Sequence, residues 1–255
     1  MRRFALIAVI IVWCALAFAT SAQDARSELN AGVEAYKAGR LDEAVTHFQA
    51  VVLLEPQLLV GHLYLGTALA QQYVPGVEEP SNKQIAEHAL EEFHKVLDLD
   101  ADNLNALKAI GALSFQLKRF EEARQYQEKV IAHDPKDEAA YYTIGVIRWI
   151  ESYQPRMELR SKLGLKPDEA LILLPECGQV REANWDKVEA GIRSLSRALG
   201  LRPDYDDAMA YLNLLYHERA DLQCGDPVAR EKDLATADEW VDKTMQVKRA
   251  KRRPN

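Results

Sequence analysis

Residues Asn30 to Pro56 read NAGVEAYKAGRLDEAVTHFQAVVLLEP. The text splits at Gly39 into two amphipathic helical stretches. Gly32 lies in the first, and Ala44, Phe48 and Val51 recur at helical spacing in the second. Gly39 supplies a helix stop, and Asp42 stands where a carboxylate can accept the orphan N–H groups of the next helix. Pro56 closes the unit. Gly32 and Ala44 are small where two helices must approach closely, whereas Phe48 and Val51 fill the space between them.

The unit recurs in phase. Gly66, Gly111 and Gly145 each stand 10 residues after a closing slot, at Pro56, Ala101 and Pro135. Ala44, Ala89, Ala123 and Gly191 each precede a closing slot by 12 residues, the last of these being Pro203. A period near 34 residues built from two helices predicts a solenoid. These residues resemble the tetratricopeptide repeat, with its small residues at two fixed positions, a large apolar residue after the second and proline near the end. The third unit carries Gly111, Ala123, Val130 and Pro135, with Gln127 in place of the aromatic. The second carries Gly66, Ala89, Phe93 and Val96, and the fourth Gly145, Gly191, Leu195 and Ala198. The fifth is degenerate: Asn213 replaces glycine, followed by Ala237 and Val241. The expected fold is all-α, a right-handed tetratricopeptide-like α-solenoid of about five helix pairs. Its repeats fall at 25–58, 59–102, 104–137, 138–205 and 206–245, within a solenoid spanning 23–248.

The spacing fails in one kind of place. Glycine slot to alanine slot takes 12 residues in units one and three. Gly66 to Ala89, Gly145 to Gly191 and Asn213 to Ala237 take 23, 46 and 24. Units two, four and five therefore carry insertions in the turn between their two helices, which stack along one edge of a solenoid. In unit two, Val74-Pro75-Gly76 signals a turn and Ser81-Asn82-Lys83-Gln84 a capping box. In unit four, Pro155 to Leu163 reads as a separate helix stopped at Gly164, and Pro167 to Leu173 as a second short one. A diverged extra helix pair is the competing reading of this insertion.

Both ends differ from the body. Met1-Arg2-Arg3, the apolar run Phe4 to Ala19 and the small residues Thr20-Ser21-Ala22 form the layout of a secretory signal peptide, 1–22, cleaved near Ala22. An N-terminal membrane anchor is the alternative, although the run is short for a span of about 20 residues. Trp13 before Cys14 argues against a lipidated cysteine. The chain is expected to be exported and periplasmic, or secreted. Losing Arg2 and Arg3 takes the net charge from −7 to −9, which argues against nucleic acid as a partner. Residues 249–255 read as a basic disordered tail continuing from Lys243 and Lys248, offering weak contact to an anionic surface. Export also permits disulfides. Cys177 and Cys224, in the fourth and fifth insertions, are expected to pair.

Chemistry is sparsely marked. The sequence carries no phosphate loop, nucleophile elbow or paired-cysteine metal motif. His88 and His94 are six apart and do not share a helix face as i and i+4 would. Glu91-Glu92 reads as a solvated face, and His47 and His217 as isolated residues. No catalytic residue, metal or cofactor is expected, and the chain reads as a non-enzymatic interaction scaffold of the cell envelope. The resemblance implies a concave groove at fixed positions of the first helices: Leu29, Val33, Tyr36, Lys37, Leu63, Thr67, Lys108, Phe115, Tyr142 and Trp149. Leu29 and Val33 replace the Lys and Asn with which co-chaperone members clamp a carboxylate, so the implied partner is an apolar peptide or protein. The competing class is a structural or self-assembling protein, a homo-oligomer, whose groove is covered by its own insertion or another copy.

Overall fold

The computed structural model describes residues 23–166 and 169–252. The leader 1–22 with its cleavage site, Pro167, Asp168 and residues 253–255 lie outside the described residues. Among those described there are helices and no strands: α1 (23–37), α2 (Leu41–Leu54), α3 (Leu59–Gln72), α4 (Pro80–Leu99), α5 (Leu104–Gln116), α6 (Phe120–His133), α7 (Glu138–Lys162), α8 (Cys177–Leu201), α9 (Asp206–Asp221) and α10 (Pro227–Lys251). They form two compact units, divided between Tyr126 and Gln127.

In unit 1, α2 packs on α3, α3 on α4, and α5 on both α3 and α4. Its core runs from Ala35, Ala44 and Phe48 through Leu65, Phe93 and Val96 to Ile110. The glycine slots explain the pairing. A Cβ at Gly32 would lie 2.5 Å from Cε1 of Phe48, and one at Gly66 2.9 Å from Cε1 of Phe93. In unit 2 a Cβ at Gly145 would lie 2.5 Å from Cγ of Leu195. α1, α3 and α7 thus each present a slot that admits a hydrogen and nothing larger, and α2, α4 and α8 each fill it with a large side chain. The insertions of units two and four leave this partnership intact.

The same contact changes at the last pair. Asn213 occupies the glycine slot and donates from Nδ2 to the Ala237 carbonyl at 2.9 Å. The side chain due to fill the slot, Val241, stays 44% exposed. Elsewhere in unit 2, α7, α8, α9 and α10 pack in sequence around Val188, Leu195, Leu212 and Leu215.

The extra residues mostly lengthen helices rather than fill turns. The separate helix expected from Pro155 is instead the end of α7, which runs unbroken to Lys162 with Pro155 inside it. Proline removes one helical hydrogen bond. The helix continues because Arg156 and Arg160, in its next turn, are held by Glu218 and Asp221 of α9. Residues 169–173, expected to be helical, are bends and turns. They follow the burial of Leu171 and Ile172 and the capture of the Lys166 and Glu169 carbonyls by Arg160. In the fifth unit α9 and α10 are both long, leaving 222–226 as the connection. In the second, α4 starts at Pro80, ahead of the expected cap. Asn82 turns back instead, bonding Val74 N, Val74 O and Val77 O at 2.9 Å each.

Helix ends follow local chemistry. α1 stops at Gly39 (φ 74°), where Arg40 N reaches Ala35 O at 2.9 Å. Gly164 (φ 66°) ends α7 in the same way, with Leu165 N on Arg160 O. Asn103, Asp137 and Asp226 cap α5, α7 and α10. Asp42 does not cap α2. It sits inside the first turn and accepts from Gln72 at 2.7 Å. The tail expected to be disordered from 249 is helical through Lys251, because Lys251 bonds Asp204 O and Asp206 Oδ1 at 2.7 Å each. That hydrogen bond holds the Asp206 carboxyl below its ordinary range. Glu92, read as solvated, is buried: His62 Nδ1 donates to it at 2.6 Å and Lys95 at 2.8 Å.

Two glycine substitutions separate slot from propensity. Gly145→Ala should lower stability by about 1–3 kcal/mol, because its methyl overpacks Leu195. Gly200→Ala, inside α8 with nothing within 4 Å of the new methyl, should raise it by about 0.5–1 kcal/mol. Urea denaturation of both variants measures the pair, and destabilisation at Gly200 matching that at Gly145 would contradict the slot.

Candidate functional site

The first helices of unit 1 present an open apolar face. Val33, Tyr36 and Lys37 of α1, Tyr64 and Thr67 of α3, and Phe48 of α2 line a cavity of about 200 Å³. A second cavity, of about 240 Å³, begins at the same Thr67 and continues over Ala70, Gln71, Phe93, Ala109, Ala112, Leu113 and Gln116. The two form one groove along α1, α3 and α5. Its floor is Phe48 and Phe93, the side chains that fill the glycine slots, so the contact that pairs the helices also shapes the groove. Phe48 lies 5.5 Å from the Tyr64 ring. Tyr36 donates from its hydroxyl to Gln71 Oε1 at 2.9 Å, which fixes the phenol across the gap between α1 and α3.

Of the residues expected in the groove, Val33, Tyr36, Lys37 and Thr67 are brought together here. Leu29 lines a separate cavity of about 360 Å³ with Ala25, Arg26, Glu55, Leu58 and Val60. Leu63 packs against the core. Lys108 is half-buried on α5. Phe115 turns away to pack on Phe120, with ring centroids 5.8 Å apart. Tyr64, Phe48 and Phe93 were not among the residues expected here; Phe48 and Phe93 are buried core side chains that the slot rule places directly beneath the first helices.

Unit 2 treats the corresponding positions differently. Tyr142 stacks on Tyr205 at 4.8 Å and meets Tyr211 edge-on at 5.8 Å. Trp149 lies 4.9 Å from Tyr153 and 5.4 Å from Tyr211. Burial, followed by the neighbouring phenols and Asp207, pushes the Tyr142 hydroxyl well above its ordinary range. Arg202 stacks on Tyr205 from outside. These aromatics close on one another within the unit, and no described residue of the loop between α7 and α8 is among them.

The edge of unit 2 that carries the insertions is bolted at several points. Cys177, the first residue of α8, is bonded to Cys224 in the α9–α10 connection, with 5.7 Å between Cα atoms. Arg156 makes a two-pronged contact with Glu218 at 2.7 Å for each bond and a third bond to Asp221 at 2.6 Å. Burial raises the Glu218 carboxyl and Arg156 opposes that rise. Gly225 N bonds Ile172 O at 2.9 Å, and Arg181 reaches Leu222 O at 2.8 Å. Arg219 adds a second cluster with Asp233 and Glu189. Sequence reading found the disulfide but not the ion pairs. Their trace is a basic pair four apart on α7 facing an acidic pair three apart on α9.

Residues 86–144 match the family model of the tetratricopeptide repeat. No curated protein matches the chain in sequence. Its fold is similar to that of solved helical-repeat proteins. A crystal structure of MamA protein is 15% identical, covers 92% of this chain and 98% of its own, and superposes with a TM-score of 0.61. MamA from Desulfovibrio magneticus RS-1 is 20% identical, with coverages of 90% and 98% and a TM-score of 0.62. YrrB, described as a tetratricopeptide-repeat protein with an unusual peptide-binding site, is 13% identical, with 91% of each chain covered and a TM-score of 0.58.

The bolted edge has a direct thermodynamic consequence. The disulfide closes a loop across 47 residues of sequence, and replacing both cysteines by serine should cost about 4 kcal/mol on the chain-entropy account. Thermal melts of the oxidised protein and the double variant measure it. Equal stabilities, or two titratable thiols in the denatured, unreduced protein, would rule the bond out as a structural element.

Proposed function

We propose that this chain, whose residues 86–144 match the tetratricopeptide-repeat model and whose fold is similar to that of MamA, is a non-enzymatic scaffold that holds another protein through an apolar segment laid along the unit 1 groove. One observation carries this reading: two cavities joined at Thr67 form a continuous apolar face open along α1, α3 and α5. The groove is floored by Phe48 and Phe93 and edged by Tyr36, Gln71 and Gln116, side chains that can accept or donate to a peptide backbone. Lys37 is the one cation lining either cavity, so a peptide held by charge is disfavoured. An extended or helical segment with small and aromatic side chains fits best. The corresponding aromatics of unit 2 spend their faces on one another and serve stability.

The site of action in this reading is the cell envelope. The leader layout of residues 1–22 supports export with cleavage near Ala22, and the Cys177–Cys224 bond is of the kind that persists in oxidising compartments. An uncleaved leader would instead tether the chain at the membrane. Of the basic C-terminal run, Lys248 and Lys251 are engaged by Asp206, which leaves less charge for an anionic surface than the sequence suggested.

Two measurements test these readings. A photo-crosslinking residue at Thr67 should capture a partner in the native cell. Tyr36→Ala with Tyr64→Ala should then weaken that partner at least about tenfold, as expected for aromatic anchors, while leaving the helical signal unchanged. Unaltered affinity sinks the groove. Separately, fractionation of the host with N-terminal sequencing should find the chain in the periplasm beginning at Gln23. A chain that keeps residues 1–22 in the membrane fraction favours the tether, and a cytoplasmic chain overturns export.

A further inference from the structure

Among the described residues one covalent tie crosses the fold, and its two sulfur atoms lie in unequal surroundings. Cys177 is 2% exposed at the start of α8. Cys224 is half-buried in the connection 222–226, and residues 225–228 that follow it are exposed. Thiol–disulfide exchange requires a thiolate to reach one of the two sulfurs. Solvent meets the bond on the Cys224 side, whereas buried Cys177 offers no such approach.

The surroundings are also prepared for the bond to open. Cys177 Sγ lies 3.6 Å from the Asp221 carbonyl oxygen, so a thiol released there finds an acceptor in place. The first turn of α8 presents backbone N–H groups, which favour negative charge on the departing sulfur. The segments that the bond joins are held by other contacts as well. Arg156 and Arg160 fasten α7 to Glu218 and Asp221 of α9. Arg181, one turn along α8 from Cys177, donates to Leu222 O at 2.8 Å. Gly225 N donates to Ile172 O at 2.9 Å. Gln223 Nε2 donates to Asp233 Oδ2 at 2.8 Å, and Asp226 accepts from Ala229 N at 2.9 Å. The chain around each cysteine is therefore fixed without the help of sulfur.

We propose that Cys224 is a site of reversible modification by a small thiol, with Cys177 as its buried resolving partner. The attacking thiolate forms a bond to Cys224 Sγ as the Cys177–Cys224 bond breaks. The electron pair of the old bond leaves on Cys177 Sγ, which takes a proton from solvent and donates it to Asp221 O. A second thiol can then attack the sulfur attached to Cys224. It departs with the first as a disulfide and leaves Cys224 as a thiol, so two thiols are oxidised and the protein disulfide is reduced by two electrons. In the reverse direction the Cys177 thiolate attacks Cys224 Sγ of the modified chain, expels the small thiol and restores the tie. The 5.7 Å between the two Cα atoms keeps this return within reach. Half-burial of Cys224 selects a compact thiol over the surface of a folded protein. The groove of unit 1 takes no part, so this proposal and the scaffold reading stand or fall separately.

Reduced glutathione is the probe. The oxidised protein is incubated with it under native conditions, quenched with N-ethylmaleimide and mapped by peptide mass spectrometry. Glutathione should appear on Cys224 and maleimide on Cys177, in at least about tenfold excess over the reverse pattern, as the difference in access requires. The helical signal in circular dichroism should be unchanged after full reduction. Two single-cysteine chains give an independent reading. With Cys177→Ser, the remaining Cys224 should react with a disulfide reagent at least about tenfold faster than Cys177 does in the Cys224→Ser chain, and denaturation should abolish the difference. Glutathione chiefly on Cys177, equal native rates in the two variants, loss of helix on reduction, or exchange that occurs only in denaturant would each overturn the proposal.

Discussion

The fold depends on a missing methyl group. Where Gly32, Gly66 and Gly145 lie, a Cβ would stand within 3 Å of an atom of Phe48, Phe93 or Leu195. Two helices can close to that distance only when one has no side chain at the crossing. The fully buried residues Ala44 and Ala89 do related work on the second helix. Because the contact is steric and local, it is indifferent to the length of chain between its partners. The pairing survives a connection lengthened by a loop in unit 1 and by two extended helices in unit 2. Sequence drift is therefore tolerated in the turns and resisted at the slot.

That property explains what could be read from the sequence. Glycine, alanine and proline at fixed intervals report sterics within one helix pair, and the pairs, their order and the three irregular turns were legible from them. The contents of those turns were not. Pro155 reads locally as a helix start, and it lies inside α7 because Arg156 is held 62 residues away by Glu218. Glu92 reads as solvent-facing beside Glu91, and it is buried because His62 on another helix reaches it. In each case the deciding partner lies beyond the reach of periodicity. The groove shows the same division. Position within the repeat put Val33, Tyr36 and Thr67 on one face, where they line one cavity, but it could not say that Phe115 would pack on Phe120 or that Tyr64 would lean on Phe48.

The two units use aromatic side chains to opposite ends. Unit 1 sets Phe48 and Phe93 one below each slot, with small residues such as Thr67, Ala70 and Ala112 between them, and a groove remains. Unit 2 brings Tyr142, Trp149, Tyr153, Tyr205 and Tyr211 into one stack, and the space is filled. The filled unit also carries the disulfide and the ion-pair cluster of Arg156 with Glu218 and Asp221. The covalent tie and the stacked aromatics thus lie in one unit and the open apolar surface in the other, as the proposed scaffold role requires.

The covalent bond between Cys177 and Cys224 also sets how far the chain can be drawn out. It makes α8, α9 and the turn between them a closed ring, while α7 and α10 leave that ring as two free threads. Pulled from its ends, the polypeptide cannot release the length of chain spanned by the sequence separation of 47 between the cysteines. Its contour is shortened by about 160 Å at roughly 3.4 Å per residue. Any machine that threads this protein as a single strand must meet a doubled strand at the ring, and must stall there or break the bond first.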